Sequence, residues 1–189
     1  MNDSTGVYFY SMACNNAWAN HRLLRACSGL SQEDFAARRT SFFPSIQATL
    51  NHILYVDWYY VDALEGGSLG PAAWKDEMPC SRLADLDREQ RAVDKRLVTY
   101  CRALTNERLR GTVKLIRAKG IQTERVDRLL LHLFQHQIHH RGQAHAMLSG
   151  TTVKPPQLDE FFMTDEAPLR ADELSELGLS EGEIWRGLP

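Results

Sequence analysis

Several things are missing from this chain, and each absence removes a class of function. Its longest uninterrupted apolar runs are three or four residues, far short of the roughly 20 needed to cross a bilayer. The opening Met-Asn-Asp-Ser-Thr-Gly has neither a basic region nor an apolar core, so no signal peptide is expected and a cytoplasmic location is the default. There is no excess of charge of either sign. A net charge of −2, with no basic block, gives no footing for nucleic acid. The four cysteines, Cys14, Cys27, Cys80 and Cys101, form no Cys-x-x-Cys pair and no zinc-finger spacing, and they read as reduced core or flank residues. Internal repeats and low-complexity segments are absent too. What remains is an ordinary composition, 43% hydrophobic and 24% charged over 189 residues, which fits one domain with a sizeable core.

Histidine, by contrast, is concentrated. Four of the seven histidines fall within nine residues, in Leu129-Leu-Leu-His-Leu-Phe-Gln-His-Gln-Ile-His-His-Arg-Gly-Gln143. At about 100° per residue, the row Leu129, Leu133, His136, His140, Ala144 and Met147 occupies a sector of roughly 80°, the stripe of a buried helix seam. His136 and His140 lie inside it, one turn apart and at chelating i, i+4 spacing. His132 and His139 fall about 40° or more outside the stripe, at the polar flank.

Three more long helices are expected, at about 6–27, 45–65 and 84–104, with the histidine helix at about 124–148. Ser45 follows Pro44 as a start signal for the second, and Gly66-Gly67 ends it. Ser31 is an N-cap for a single helical turn in the first connector. Asn16 and Asn20 fall on or near the core face of the first helix, where their amides need partners, either to brace a site or to cap a loop. On the second helix His52 belongs to the row Ser45, Thr49, His52, Val56, Tyr59 and Ala63, at the edge of the buried arc, with Asp57 about 140° away. The third helix carries a charged surface (Asp85, Asp87, Arg88, Glu89, Arg91, Asp94, Lys95, Arg96) that reads as solvated. Within residues 105–123, the stretch Gly111–Gly120 alternates partly and favours a short hairpin arm over an irregular crossing. In the tail, a short helix is expected over 157–163 packing Phe161 and Phe162, another near 171–177, and packing by Trp185. The whole reads as an all-α, antiparallel four-helix bundle, with a core of about 6–150 and an extension of about 151–189 in one domain of 1–189. Two histidines from one helix and a third from another would make a facial three-histidine set with open positions for water or substrate.

The motifs Asn15-Asn-Ala-Trp-Ala-Asn20, Ser45-Ile-Gln-Ala-Thr-Leu-Asn-His-Ile-Leu54, Gln135-His-Gln-Ile-His-His-Arg-Gly-Gln143 and Pro155-Pro-Gln-Leu-Asp-Glu-Phe-Phe162 resemble, in order, those of the DinB (YfiT-like) family of metal-binding four-helix bundles. The histidine motif with Arg-Gly-Gln is the specific part. The resemblance puts the ligand pattern on His52, His136 and His140. It also implies up-down-down-up connectivity, a divalent ion (nickel or zinc foremost), homodimerisation and a stress-response setting. Relatives include low-molecular-weight thiol S-transferases and a mycothiol-dependent isomerase. A thiol-using transferase is therefore the first expectation for activity, with a metal-dependent hydrolase or a non-catalytic metal-binding protein as alternatives. No residue stands out as a general base. His132, His139, Tyr59 and Asp57 are candidates, and Gln143 is a candidate to orient a ligand imidazole. Arg141, about 100° from His140, should face another helix or the subunit surface.

Overall fold

The computed structural model describes residues 5–186. The expectation of no leader turns largely on residues 1–4, which lie outside that range. Four long helices carry the fold: α1 (Thr5–Cys27), α3 (Ile46–Leu64), α4 (Leu83–Arg102) and α6 (Val126–Leu148). Between and after them come α2 (Gln32–Ala36), α5 (Asn106–Arg110), the hairpin β1 (Thr112–Arg117) and β2 (Gly120–Arg125), then α7 (Ala167–Glu176) and α8 (Glu181–Ile184). Among the described residues the protein is all-α apart from this one antiparallel hairpin, whose register pairs Thr112 with Arg125 and Arg117 with Gly120.

Local chemistry accounts for the starts. Ser45 caps α3, its hydroxyl accepting from the Ala48 amide at 3.0 Å, a contact worth about 1 kcal/mol. Ser31 and Thr105 cap α2 and α5 in the same way. The long α6 has no side-chain cap. It grows directly out of β2, and the Val126 amide donates to the Gly111 carbonyl at 3.0 Å across the base of the hairpin.

Around the bundle the order is α1, α4, α3, α6, with α6 closing back on α1. Residue pairs fix the directions. Arg102 bonds Tyr10 while Asp94 bonds Asn16 and Asn20, so α1 and α4 are antiparallel. Asp57 meets Gln90 and Glu65 meets Arg96, so α3 and α4 run parallel. His52 lies on His136 and Tyr60 on His132, so α3 and α6 are antiparallel. The connectivity is up-down-down-up, and the expectation of a simple antiparallel bundle fails at the α3–α4 pair. Parallel neighbours require a return over the bundle's length, which the 65–82 connector supplies.

Three other expectations change. Residues 157–163 form a bend and turn, not a helix. Only Phe161 packs inward, against Trp18 with ring centroids 5.5 Å apart, and Phe162 stays exposed. The later helix spans Ala167–Glu176, and α8 follows, burying Ile184 beside a half-buried Trp185. The tail is fastened to α1 by ionic contacts: Trp18 Nε1 donates to Glu173 at 2.7 Å, and Arg22 pairs with Glu173 and Glu160 at 2.8 and 2.9 Å. The tryptophan of the first motif thus anchors the tail. Finally, Asp94 is buried, unlike the rest of its charged surface. All four cysteines are free and buried, as expected, and burial pushes the Cys14 and Cys27 thiols up to about 12.

Candidate metal centre

The helices α3 and α6 pack side by side, antiparallel. His52 projects from the middle of α3 and His136 and His140 from successive turns of α6. Their rings cluster with centroids 4.9 Å (His52–His136), 4.5 Å (His52–His140) and 4.4 Å (His136–His140) apart. One nitrogen from each lies within 4.8 Å of the others, and the three could hold a metal ion. The Nε2 atoms of His52 and His136 are 2.9 Å apart. Two nitrogens bound at about 2.1 Å to one ion stand roughly 3.0–3.4 Å apart, so the pair is already close to chelating distance.

The far side of two rings is held. Tyr55 Oη lies 2.6 Å from His52 Nδ1, and His140 Nδ1 lies 2.9 Å from Gln143 Oε1. The amide oxygen can only accept, so His140 carries its proton on Nδ1 and leaves the Nε2 lone pair for the shared centre. Gln143 also donates from Nε2 to His139 Nε2 at 3.0 Å, bridging the two rings. His136 Nδ1 is buried and has no partner among the described residues.

Burial, then mutual repulsion, keeps the rings neutral. The His52 pKa falls to about 4, chiefly by desolvation and then by His140. That of His136 falls to about 3, by desolvation and the charges of its histidine neighbours. Burial also lowers His140, partly opposed by its bond to Gln143. Neutral imidazole is the form that binds a divalent ion.

The other candidates separate cleanly. His132 and His139 are exposed, as their helix azimuths predict. Tyr59 lines the adjoining cavity, but its hydroxyl donates to the Ile116 carbonyl at 3.1 Å. Asp57 points away from the centre, into the bundle core. Sequence reasoning did not select Tyr55, three residues from His52 on α3, nor Phe43, whose ring packs 4.4 Å from His52 and 5.4 Å from His140. The i, i+3 spacing could have found Tyr55. Phe43 comes from a connector without periodicity, and no pattern points to it.

Behind the histidine seam, α6 turns a second polar face inward. Arg141, 4% exposed, donates to the Asn16 and Asn20 carbonyl oxygens, the latter at 3.0 Å. Those two amides donate to Asp94, and Gln90 Nε2 donates to Asp57 at 2.7 Å and to Asp94 at 3.2 Å. Gln137 closes the network on Asp57. Arg141 therefore faces another helix, and the two asparagines brace it instead of capping a loop. Burial raises both carboxyls, Asp57 to about 7, and lowers Arg141 to about 10. One guanidinium against two carboxyls leaves the cluster neutral when the pair holds one proton. Both carboxyls accept side-chain amide N–H groups on each oxygen, Asp94 from Asn16, Asn20 and Gln90 and Asp57 from Gln90 and Gln137, so that proton is shared by the pair.

Comparison with known proteins agrees with this architecture. The model of the DinB family matches residues 1–174. The chain belongs to the DinB family. Among curated proteins it is similar to Protein DinB of Bacillus subtilis (strain 168), 25% identical over 158 residues covering 79% of this chain and 91% of that protein. Among solved structures it is similar to a DinB-like protein from Bacillus cereus, with a TM-score of 0.59 at 15% identity over 75% of this chain and 89% of that one. The second likeness concerns the fold.

A cavity of about 280 Å³ opens beside His52 and His136, walled by Tyr55, Tyr59, Tyr60 and Trp74, with Glu77 and Arg117 also lining it. No helix is long and apolar enough to cross a membrane among the described residues.

Proposed function

We propose that this DinB-family protein binds a divalent metal, nickel or zinc foremost, through His52, His136 and His140, and uses it as a metal-dependent enzyme, a low-molecular-weight thiol S-transferase. The observation that carries the metal reading is the convergence of three neutral imidazoles, two of them oriented by Tyr55 and Gln143. Three protein ligands leave at least one position for a further ligand. A divalent ion in such a site lowers the pKa of a thiol or water brought to it.

The chain's residues favour an external thiol. Cys14, Cys27, Cys80 and Cys101 are buried, and burial raises each thiol away from the reactive thiolate form. A thiolate nucleophile here has to arrive with a small molecule, and the cavity adjoining two of the three histidines is where it would enter. Phe43 shields the ligand rings on one side and restricts water. A homodimer and a cytoplasmic, stress-related role belong to the same reading.

Metal analysis of the purified protein should give close to one divalent ion per chain, and His52→Ala should lower both metal content and melting temperature. No metal in the wild type, with an unaltered melting temperature in the variant, would remove the ligand assignment. Metal-dependent conjugation of an electrophile such as monochlorobimane, across a panel of cellular thiols, tests the transferase. Silence with every thiol, alongside stoichiometric metal, leaves a non-catalytic metal-binding protein, and hydrolysis of an ester or amide panel instead would make it a hydrolase.

A further inference from the structure

We infer that the cavity beside the histidines takes a small organic monocarboxylate, with Arg117 receiving its charge. That the ligand's other end meets a metal rests on the metal-site reading above; the carboxylate subsite itself does not.

Arg117 is the last residue of β1, next to the hairpin turn. Its guanidinium lies over two aromatic rings of α3, 5.2 Å from the Tyr59 centroid and 6.0 Å from that of Tyr60. Its Nε donates to Gln122 Oε1 on β2 at 3.2 Å. Stacking and this one bond orient the group, yet neither terminal nitrogen has a carboxylate within 4 Å among the described residues. An arginine held over the aromatic rings of a cavity wall, with its terminal N–H groups unclaimed, presents a fork suited to a planar carboxylate.

The hairpin that carries Arg117 is fixed in place. Tyr59 donates to the Ile116 carbonyl, and Gly70 of the 65–82 connector approaches so closely that a Cβ there would lie 2.9 Å from Ile116 Cγ2. Gly70 also has φ +51°, a conformation that glycine adopts without strain. Connector, hairpin and α3 therefore meet at the cavity, and the arginine position follows from that junction.

Charge and size narrow the ligand. Glu77 lines the same cavity, and among the described residues Arg117 is the only arginine or lysine that does so. Glu77 and Arg117 balance one another, so a dianion such as a phosphate ester would leave this lining two charges negative and a monocarboxylate only one, which favours the smaller charge. The aromatic wall of Tyr60 and Trp74 suits a short carbon chain. About 280 Å³ is just below the roughly 300 Å³ lower bound of drug-sized ligand pockets.

The test compares 3-mercaptopropionate with 3-mercapto-1-propanol, which differ in the charged end. Binding is measured by calorimetry on cobalt-loaded and metal-free protein, for wild type and Arg117→Gln, with cobalt content assayed in parallel. Wild type should prefer the carboxylate about tenfold in both forms, the effect of one oriented charge-assisted pair. Arg117→Gln should bind the two probes equally and take up cobalt as wild type does. Cobalt uptake without any carboxylate preference, or a preference that survives Arg117→Gln, overturns the inference and leaves the metal reading standing. An Arg117-dependent preference in a protein that takes up no cobalt does the reverse.

Discussion

Replacing Arg141 with methionine tests whether the polar layer behind the histidines holds the bundle together. The side chain is 4% exposed, and its removal strips a donor from both Asn16 and Asn20 while leaving Asp57 and Asp94, 1% and 5% exposed, without their cation. Removing one partner of a buried charge set costs about 3–5 kcal/mol, because the remaining charge has nowhere to go. For a chain of this size that corresponds to a drop in melting temperature of about 6–20 °C. Urea unfolding followed by far-UV circular dichroism gives the free energy directly.

The loss should depend on pH with a definite sign. Burial raises Asp57 from 3.8 to about 7, so between those values the native state binds more protons than the unfolded chain. Its contribution to stability therefore falls as pH rises through that window. Without Arg141 the carboxyl pair is lifted further, so the penalty in Arg141→Met should be largest near about pH 8 and shrink toward about pH 5. The histidines titrate in both proteins, so taking the difference between them removes most of their contribution. Adding Asp94→Asn to the variant should restore part of the loss. A penalty under about 1 kcal/mol, or one that does not shrink on acidification, would refute the reasoning.

Two further outcomes concern the histidine centre. Gln143→Ala removes the acceptor for His140 Nδ1 and should weaken metal binding about 10- to 100-fold in chelator competition while changing the urea midpoint little; unchanged affinity would mean Gln143 does not orient that ring. For the metal-free protein, His52 and His136 are depressed from 6.5 to about 4 and about 3, so their contribution to stability, present above pH 6.5, should be lost as the pH falls toward 4. The urea midpoint should fall less in His136→Asn than in wild type, a difference that removes the opposite slope of Asp57; the same pH dependence in both proteins would show the His136 ring to be freely hydrated.

The four long helices, the hairpin and the inward pair His136 and His140 were legible because periodicity reports which face of an element meets the core. His52 sat at the edge of its buried arc, and the three-histidine set needed the family resemblance to complete it. What periodicity misread were residues whose neighbours are other polar groups. Asp94 lies in a charged run on α4, and nothing local distinguishes it from Asp87 or Lys95; only Asn16, Asn20 and Gln90, from α1 and one turn before it on α4, make its burial tolerable. Arg141 on α6 was expected to face another helix or the subunit surface and faces α1, but its azimuth named no partner. Phe43, Trp74 and Arg117 come from connectors and a hairpin, where no repeat relates sequence position to direction. The parallel α3–α4 pair came only from the family resemblance, through its up-down-down-up connectivity, since connector length alone does not distinguish a crossing to a diagonal neighbour from a return along the bundle.

These two kinds of residue meet on α6, which explains its unusual composition. His136 and His140 face α3 on one side of the buried surface, while Gln137 and Arg141, each one residue further on, face Asp57 on α3 and the asparagines of α1. A helix whose imidazoles could hold an ion must keep a fixed rotation and register for them to converge, because a turn of 100° would exchange each histidine for its neighbour. Apolar packing tolerates small rotations. A guanidinium bound to two specific amides, and a glutamine bound to one specific carboxyl, tolerate them far less, since any shift leaves a buried polar group unpaired. The Gln-His-Gln-Ile-His-His-Arg run thus couples each histidine to the residue that holds it in register, and the cost of burying charge in this bundle is offset by the precision with which three rings converge.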